Sequence, residues 1–218
     1  MEAWVDHVER EEERYLDGAA RLPSLTHADE RERQLTRMGN AAGGAGMALL
    51  MLAQLDDSAM WFARAAERYR ESFAGAPAAS WGRPIGAMKS RLLAGDWAGA
   101  SADAAWTLDI DARNADSPIG RYAASLALLV LGHDDEALVQ AVSIQRRDDF
   151  PADVADGLAA LALRDGEAYE TAIRSVLLSF ETREDYLEDI PVADTVIVLQ
   201  ALAHRRGLHV RLSSNLLP

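Results

Sequence analysis

Apolar and small residues recur along this chain at spacings of three and four, broken by short polar turns, and that period writes helices almost throughout. Trp4, Val8, Tyr15 and Leu16 give a first helix, Glu2 to Leu16, its apolar side, while the charged run Glu9 to Arg14 covers most of the rest. Gly18 and Pro23 are the expected stop, and Ser24 or Thr26 the expected cap of a second helix. That helix is charged from Asp29 to Arg37 and becomes apolar and small from Ala41 onward. Alanine is abundant while valine and isoleucine are sparse, so the predicted fold class is all-α.

A second period lies above the first. Ala59, Ala100, Ala137 and Ala172 each follow a polar turn, at intervals of 41, 37 and 35 residues, as expected where antiparallel helix pairs stack to bury a shared face. In the first pair the turn is expected at Asp56, Asp57 and Ser58, with Ala59, Ala63 and Ala66 on one face of the helix after it. The second pairs residues 81–93 with 98–108 across Ala94, Gly95, Asp96 and Trp97. The third turns at Gly132, His133 and Asp134, with Ser125 as the small residue facing the partner helix. The fourth, with Arg164, Asp165, Gly166 and Tyr169, is one residue longer from glycine to alanine. Gly39, Gly43, Gly44 and Gly46 crowd the second helix at about 1 kcal/mol each relative to alanine, which predicts a close-packed seam or a break into two shorter helices.

The Gly95-Asp96-Trp97 turn with Ala100 behind it, and its echo at Gly132 to Ala137, resemble the tetratricopeptide pattern over roughly residues 40 to 180. The resemblance implies helical hairpins stacked as an α-α superhelix whose usual work is to bind another protein. One domain, 1–218, is expected: N-terminal helices over 1–38, hairpin repeats over 39–180, and a capping helix and tail over 181–218.

The C-terminal segment differs in kind. Pro191 suits the first turn of a helix reaching Arg206, His204 to Arg206 suit its negative end, Gly207 stops it, and Leu208 to Leu212 alternates as a short extended strand would before folding back. With the aromatic, acidic stretch Phe180 to Asp189 and the Leu216-Leu217 end, these last 40 or so residues resemble the immunity protein 49 family, all-helical proteins that neutralise toxins. That resemblance implies a toxin as partner and brings no catalytic residues with it.

Charge narrows the partners. Acids outnumber bases 35 to 22, the net charge is −13, and Lys89 is the single lysine. Arg146 and Arg147 sit beside Asp148 and Asp149, so no basic stripe exists to displace counterions, and nucleic acid is not an expected partner. The acid excess fits either adaptation to high salt or the codon usage of a GC-rich genome. Absence of cysteine suits a reducing cytoplasm, and the most apolar run, Ala123 to Leu131, is too short to span a membrane.

No residues spell out a reaction. His7 and Glu11 are four apart with no second histidine nearby, and a solvated helix face is the expectation. The run Asp109, Asp111, Asn114 and Asp116 departs from a calcium loop at its sixth and twelfth positions, so no metal and no cofactor is expected; Ser117 and Pro118 should instead begin a helix. Glu181 to Asp189 reads as a solvated loop, or, in the alternative, as acids lining an inter-helix pocket for a small ligand or a reaction. Five tryptophans remain, of which Trp81 opens a helix and can face a groove. With Arg83, Lys89 and Arg121 it makes the candidate partner-binding set, suited to an acidic peptide. The expectation is a non-enzymatic, protein-binding monomer or homodimer.

Overall fold

The computed structural model describes residues 2–218, leaving Met1 outside, and it is all-helical: ten α-helices and no strand stand among the described residues. The chain divides into two compact units. The first comprises residues up to Trp97 with 184–192 and 217–218; the second comprises 98–183 with 193–216.

In the first unit α1 (Glu2–Arg21), α2 (Ala28–Met51), α3 (Leu55–Phe73) and α4 (Gly82–Leu93) each pack against the next in sequence. Helix α1 does not stop at Gly18, whose bare Cα lies where a Cβ would meet Gln34 and Met38 of α2; a 3-10 turn at Leu22–Ser24 ends it. His27 takes the N-cap position of α2 without a side-chain cap hydrogen bond, so neither expected cap, Ser24 or Thr26, holds that position; the Ser24 hydroxyl donates to the Arg21 carbonyl instead. Of the apolar side expected for α1, Tyr15 is buried but Leu16 faces solvent.

The glycines of α2 form a seam within one unbroken helix. A Cβ on Gly39 would stand 3.0 Å from the Tyr69 ring, and one on Gly46 would stand 2.8 Å from the Phe62 ring. Both rings come from α3, so the close approach of α2 and α3 offsets the poor helix propensity of glycine by burying two aromatic side chains. The turn between them is Leu52 to Gln54, earlier than expected, and Asp56 to Ser58 already belong to the first turn of α3. The small contact residue is therefore Ser58, whose hydroxyl donates to the Gly46 carbonyl at 2.8 Å, rather than Ala59.

The second unit holds α5 (Trp97–Asp109, its first residue excepted), α6 (Pro118–Leu131), α7 (Asp134–Gln145), α8 (Ala152–Leu163), α9 (Gly166–Glu181) and α10 (Asp194–His204). Helices α6 to α9 pack in sequence order, and α10 lies on α8 and α9. Ser117 caps α6 by accepting from the Gly120 amide at 3.1 Å, with Pro118 as the first helical residue. Gly132 ends that helix in the left-handed region at φ 79°, and the Ser125 hydroxyl donates to the Ala137 carbonyl at 3.3 Å, so the third hairpin matches its expectation.

The fourth hairpin is looser because its left-handed residue is Arg164 (φ 55°), leaving Gly166 to begin α9 under an Asp165 cap. Helix α10 is shorter than expected: residues 191–193 precede it without helical structure. Nor is 208–212 a strand. The tail does fold back, with Gln200 donating to the Val210 carbonyl at 3.0 Å and the Ala193 amide to the Leu216 carbonyl at 2.9 Å.

Candidate functional site

Of the four candidate partner-binding residues, Trp81, Arg83 and Lys89 belong to the first unit and Arg121 to the second. Trp81 is the N-cap of α4, and Arg83 and Lys89 follow on that helix, but at about 100° per residue Arg83 points some 200° from Trp81 and about 120° from Lys89. Arg83 faces inward and pairs with the buried Glu32 carboxylate of α2. Arg121 belongs to the second unit, on α6, where its Nε donates to the Ala115 carbonyl at 3.1 Å.

Two clusters of charge are structural in character. In the first unit the Glu11 carboxylate is wholly buried, which corrects the solvated face expected for it: Arg10 donates to it at 2.8 Å, and Arg14 at 2.9 and 2.8 Å. His7, its expected neighbour, lies against Trp4 with ring centroids 5.5 Å apart. Arg14 also pairs with Glu188, which accepts from Asn40 at 3.0 Å, and Arg10 donates to the Glu188 backbone carbonyl at 2.5 Å. So the acidic stretch is not merely a solvated loop; 184–192 is held by Glu188 and by the buried Ile190 and Val192.

In the second unit three helix C-termini meet, those of α6, α8 and α10. Each supplies carbonyls with a partial negative charge, and Asp134 adds a full one. Arg206, 6% exposed, donates to the Leu129 carbonyl at 2.7 Å and to Asp134 at 2.5 Å, and Arg164 donates to Asp134 at 3.1 and 3.2 Å. These arginines neutralise a corner that would otherwise repel itself.

A further feature of the second unit is an open groove of about 750 Å³ over α8 and α9. Its floor is Ala159, Ala160 and Ala172, three buried alanines that bring the two helices together and leave a trough where larger side chains would fill it. Acids stand on its walls. Asp156 accepts from Gln145 at 2.8 Å, Asp153 caps the Val154 amide at 2.9 Å, and Asp165 holds the Glu167 and Ala168 amides at 3.1 and 3.0 Å. Glu167 is exposed at the start of α9, and no Lys, Arg or His lines the groove.

One exposed leucine lines the groove and a second lies beyond its lining on α9. Leu163, in the wall at the close of α8, is 60% exposed. On α9 the stripe Ala168, Thr171 and Ser175 continues by helical spacing to Leu178, 58% exposed. Residue spacing carries part of this signal, since Ala152, Asp156, Ala159, Ala160 and Leu163 share one face of α8 in any helical projection. Its acids read as ordinary solvated positions in the sequence because the trough they flank exists only when α9 packs beside α8.

Among the described residues no three His, Asp or Glu side chains are placed to hold one metal ion, and no helix is long and apolar enough to cross a membrane. Compared with family models, curated proteins and solved structures, the chain matches none.

Proposed function

We propose that this chain is a non-enzymatic, cytoplasmic protein-binding module of stacked helical hairpins, and that it docks its partner in the groove over α8 and α9. The observation that carries the reading is the pairing of a preformed trough with an exposed leucine in its wall, Leu163, and a second, Leu178, one helical step beyond Ser175 on the same stripe of α9. Grooves between helices with apolar anchors at their margins suit a protein segment better than a small polar molecule, which needs enclosure and convergent polar groups. The acids first considered for catalysis support this view from the other side: Glu188 is engaged by Arg14 and Asn40.

An immunity factor is the specific form of this proposal. The segment resembling the immunity protein 49 family includes α10, which packs on α8 and α9 and so buttresses the proposed docking hairpin. The cognate partner would then be a toxin. A photo-reactive amino acid at Thr171, on the groove wall, tests the reading in the native cytosol. A discrete protein adduct that Leu163→Asp abolishes is expected; no adduct at Thr171, with one formed instead from a probe on α4, would overturn it.

A further inference from the structure

We infer that the partner segment entering the α8–α9 groove is a basic amphipathic helix. The inference rests on the groove being the docking surface, and it adds the chemistry of the occupant. Three observations lead to it. First, Asp153, Asp156, Asp165 and Glu167 stand on the walls with no basic side chain among the lining residues, so the trough is a concentrated patch of one sign. A partner presenting Lys or Arg gains attraction both in the encounter and in the final register.

Second, the floor is small and apolar and Leu163 stands exposed in the wall, which suits the narrow apolar ridge of a helix that carries its charges on the flanks. Third, the dimensions match: α8 with 12 residues and α9 with 16 are about 18 and 24 Å long, the span of a partner helix of roughly four turns. A second copy of this chain is a poor occupant. Each copy carries a net charge of −13, so self-association places like charges together.

The groove acids are only partly spent internally. Asp165 holds the start of α9, and Asp153 holds the next amide, yet a carboxylate has two oxygens with about four acceptor positions, so each retains capacity for an incoming ammonium or guanidinium.

The test uses the full chain and a synthetic helix of about 16 residues built from leucine, alanine and lysine, with leucine at positions i, i+3, i+4 and i+7 and lysine flanking them. Two further probes replace every lysine by glutamate or by glutamine. Titration calorimetry should show binding of the lysine helix, at least about tenfold weaker binding of the glutamine helix and weaker still of the glutamate helix. The variant Asp153→Asn/Asp156→Asn/Glu167→Gln, checked for unchanged helicity and melting, should lose at least about tenfold for the lysine helix. The equal charge change Glu2→Gln/Glu9→Gln/Glu13→Gln, on exposed positions of α1, should lose much less, which separates a groove effect from attraction to the whole acidic chain. Equal loss in both variants would overturn the inference. Preference for the glutamine helix, abolished by Leu163→Asp, would refute the basic partner and leave the groove standing as a docking surface; binding of no helix, together with no adduct from Thr171, would refute both.

Discussion

At the scale of single residues, Gly46 sets two forces against each other. Alanine there would gain about 1 kcal/mol of helix propensity. Its Cβ, however, would stand 2.8 to 3.0 Å from three atoms of the Phe62 ring, and overpacking of that kind costs about 1–3 kcal/mol. Gly46→Ala is therefore expected to lower stability in urea unfolding, and Phe62→Leu in the same background should recover part of the loss. Arg206 is a second such residue: removing one member of a buried, hydrogen-bonded ion pair costs about 3–5 kcal/mol, so Arg206→Ala should be among the more damaging single changes in the second unit. Tyr169 supplies a pH dependence. Burial raises its phenol well above the ordinary value of 10.0, so above that value the unfolded chain releases a proton that the folded chain keeps. Stability falls as pH rises beyond about 10, and Tyr169→Phe should remove this component from an alkaline melting series.

At the scale of elements, what the sequence allowed and what it hid follow from contact range. Helices, turns and the Ser125–Ala137 contact depend on residues a turn or a hairpin apart, so their spacing reveals them. The burial of Glu11 depends on Arg10 and Arg14 beside it, and a charged run on a helix reads as solvated until something covers it. What covers it includes Ile190, beside Glu11 at the bare Cα of Gly44. Contacts separated by well over 100 residues leave no local period. The same holds for the groove, whose stripe on α8 is readable but whose second wall arrives with the packing of α9. The strap 184–192 yields a prediction of its own. A hydrogen bond to a charged group is worth about 1.5–3 kcal/mol, so Glu188→Gln should speed amide exchange at Asp189, Ile190 and Val192 by about tenfold or more while leaving α8 and α9 protected.

At the scale of the whole molecule, a net charge of −13 implies self-repulsion that dissolved salt relieves. The melting temperature is expected to rise steadily from low salt into the molar range if the acid excess is an adaptation to salt; a flat profile would assign it to codon usage instead. Salt should act in the opposite sense on the docked partner, because screening weakens a basic helix held by exposed acids. Stability and affinity are thus expected to move apart along one salt series.

The most direct measurement is a backbone amide map of the chain by NMR, titrated with the lysine helix. The account predicts shifts that saturate together at residues 153–175, centred on Asp156, Leu163, Glu167 and Thr171, with α4 and its Trp81, Arg83 and Lys89 unmoved. Shifts centred on α4, or a faint response spread over every acidic surface without saturation, would contradict it.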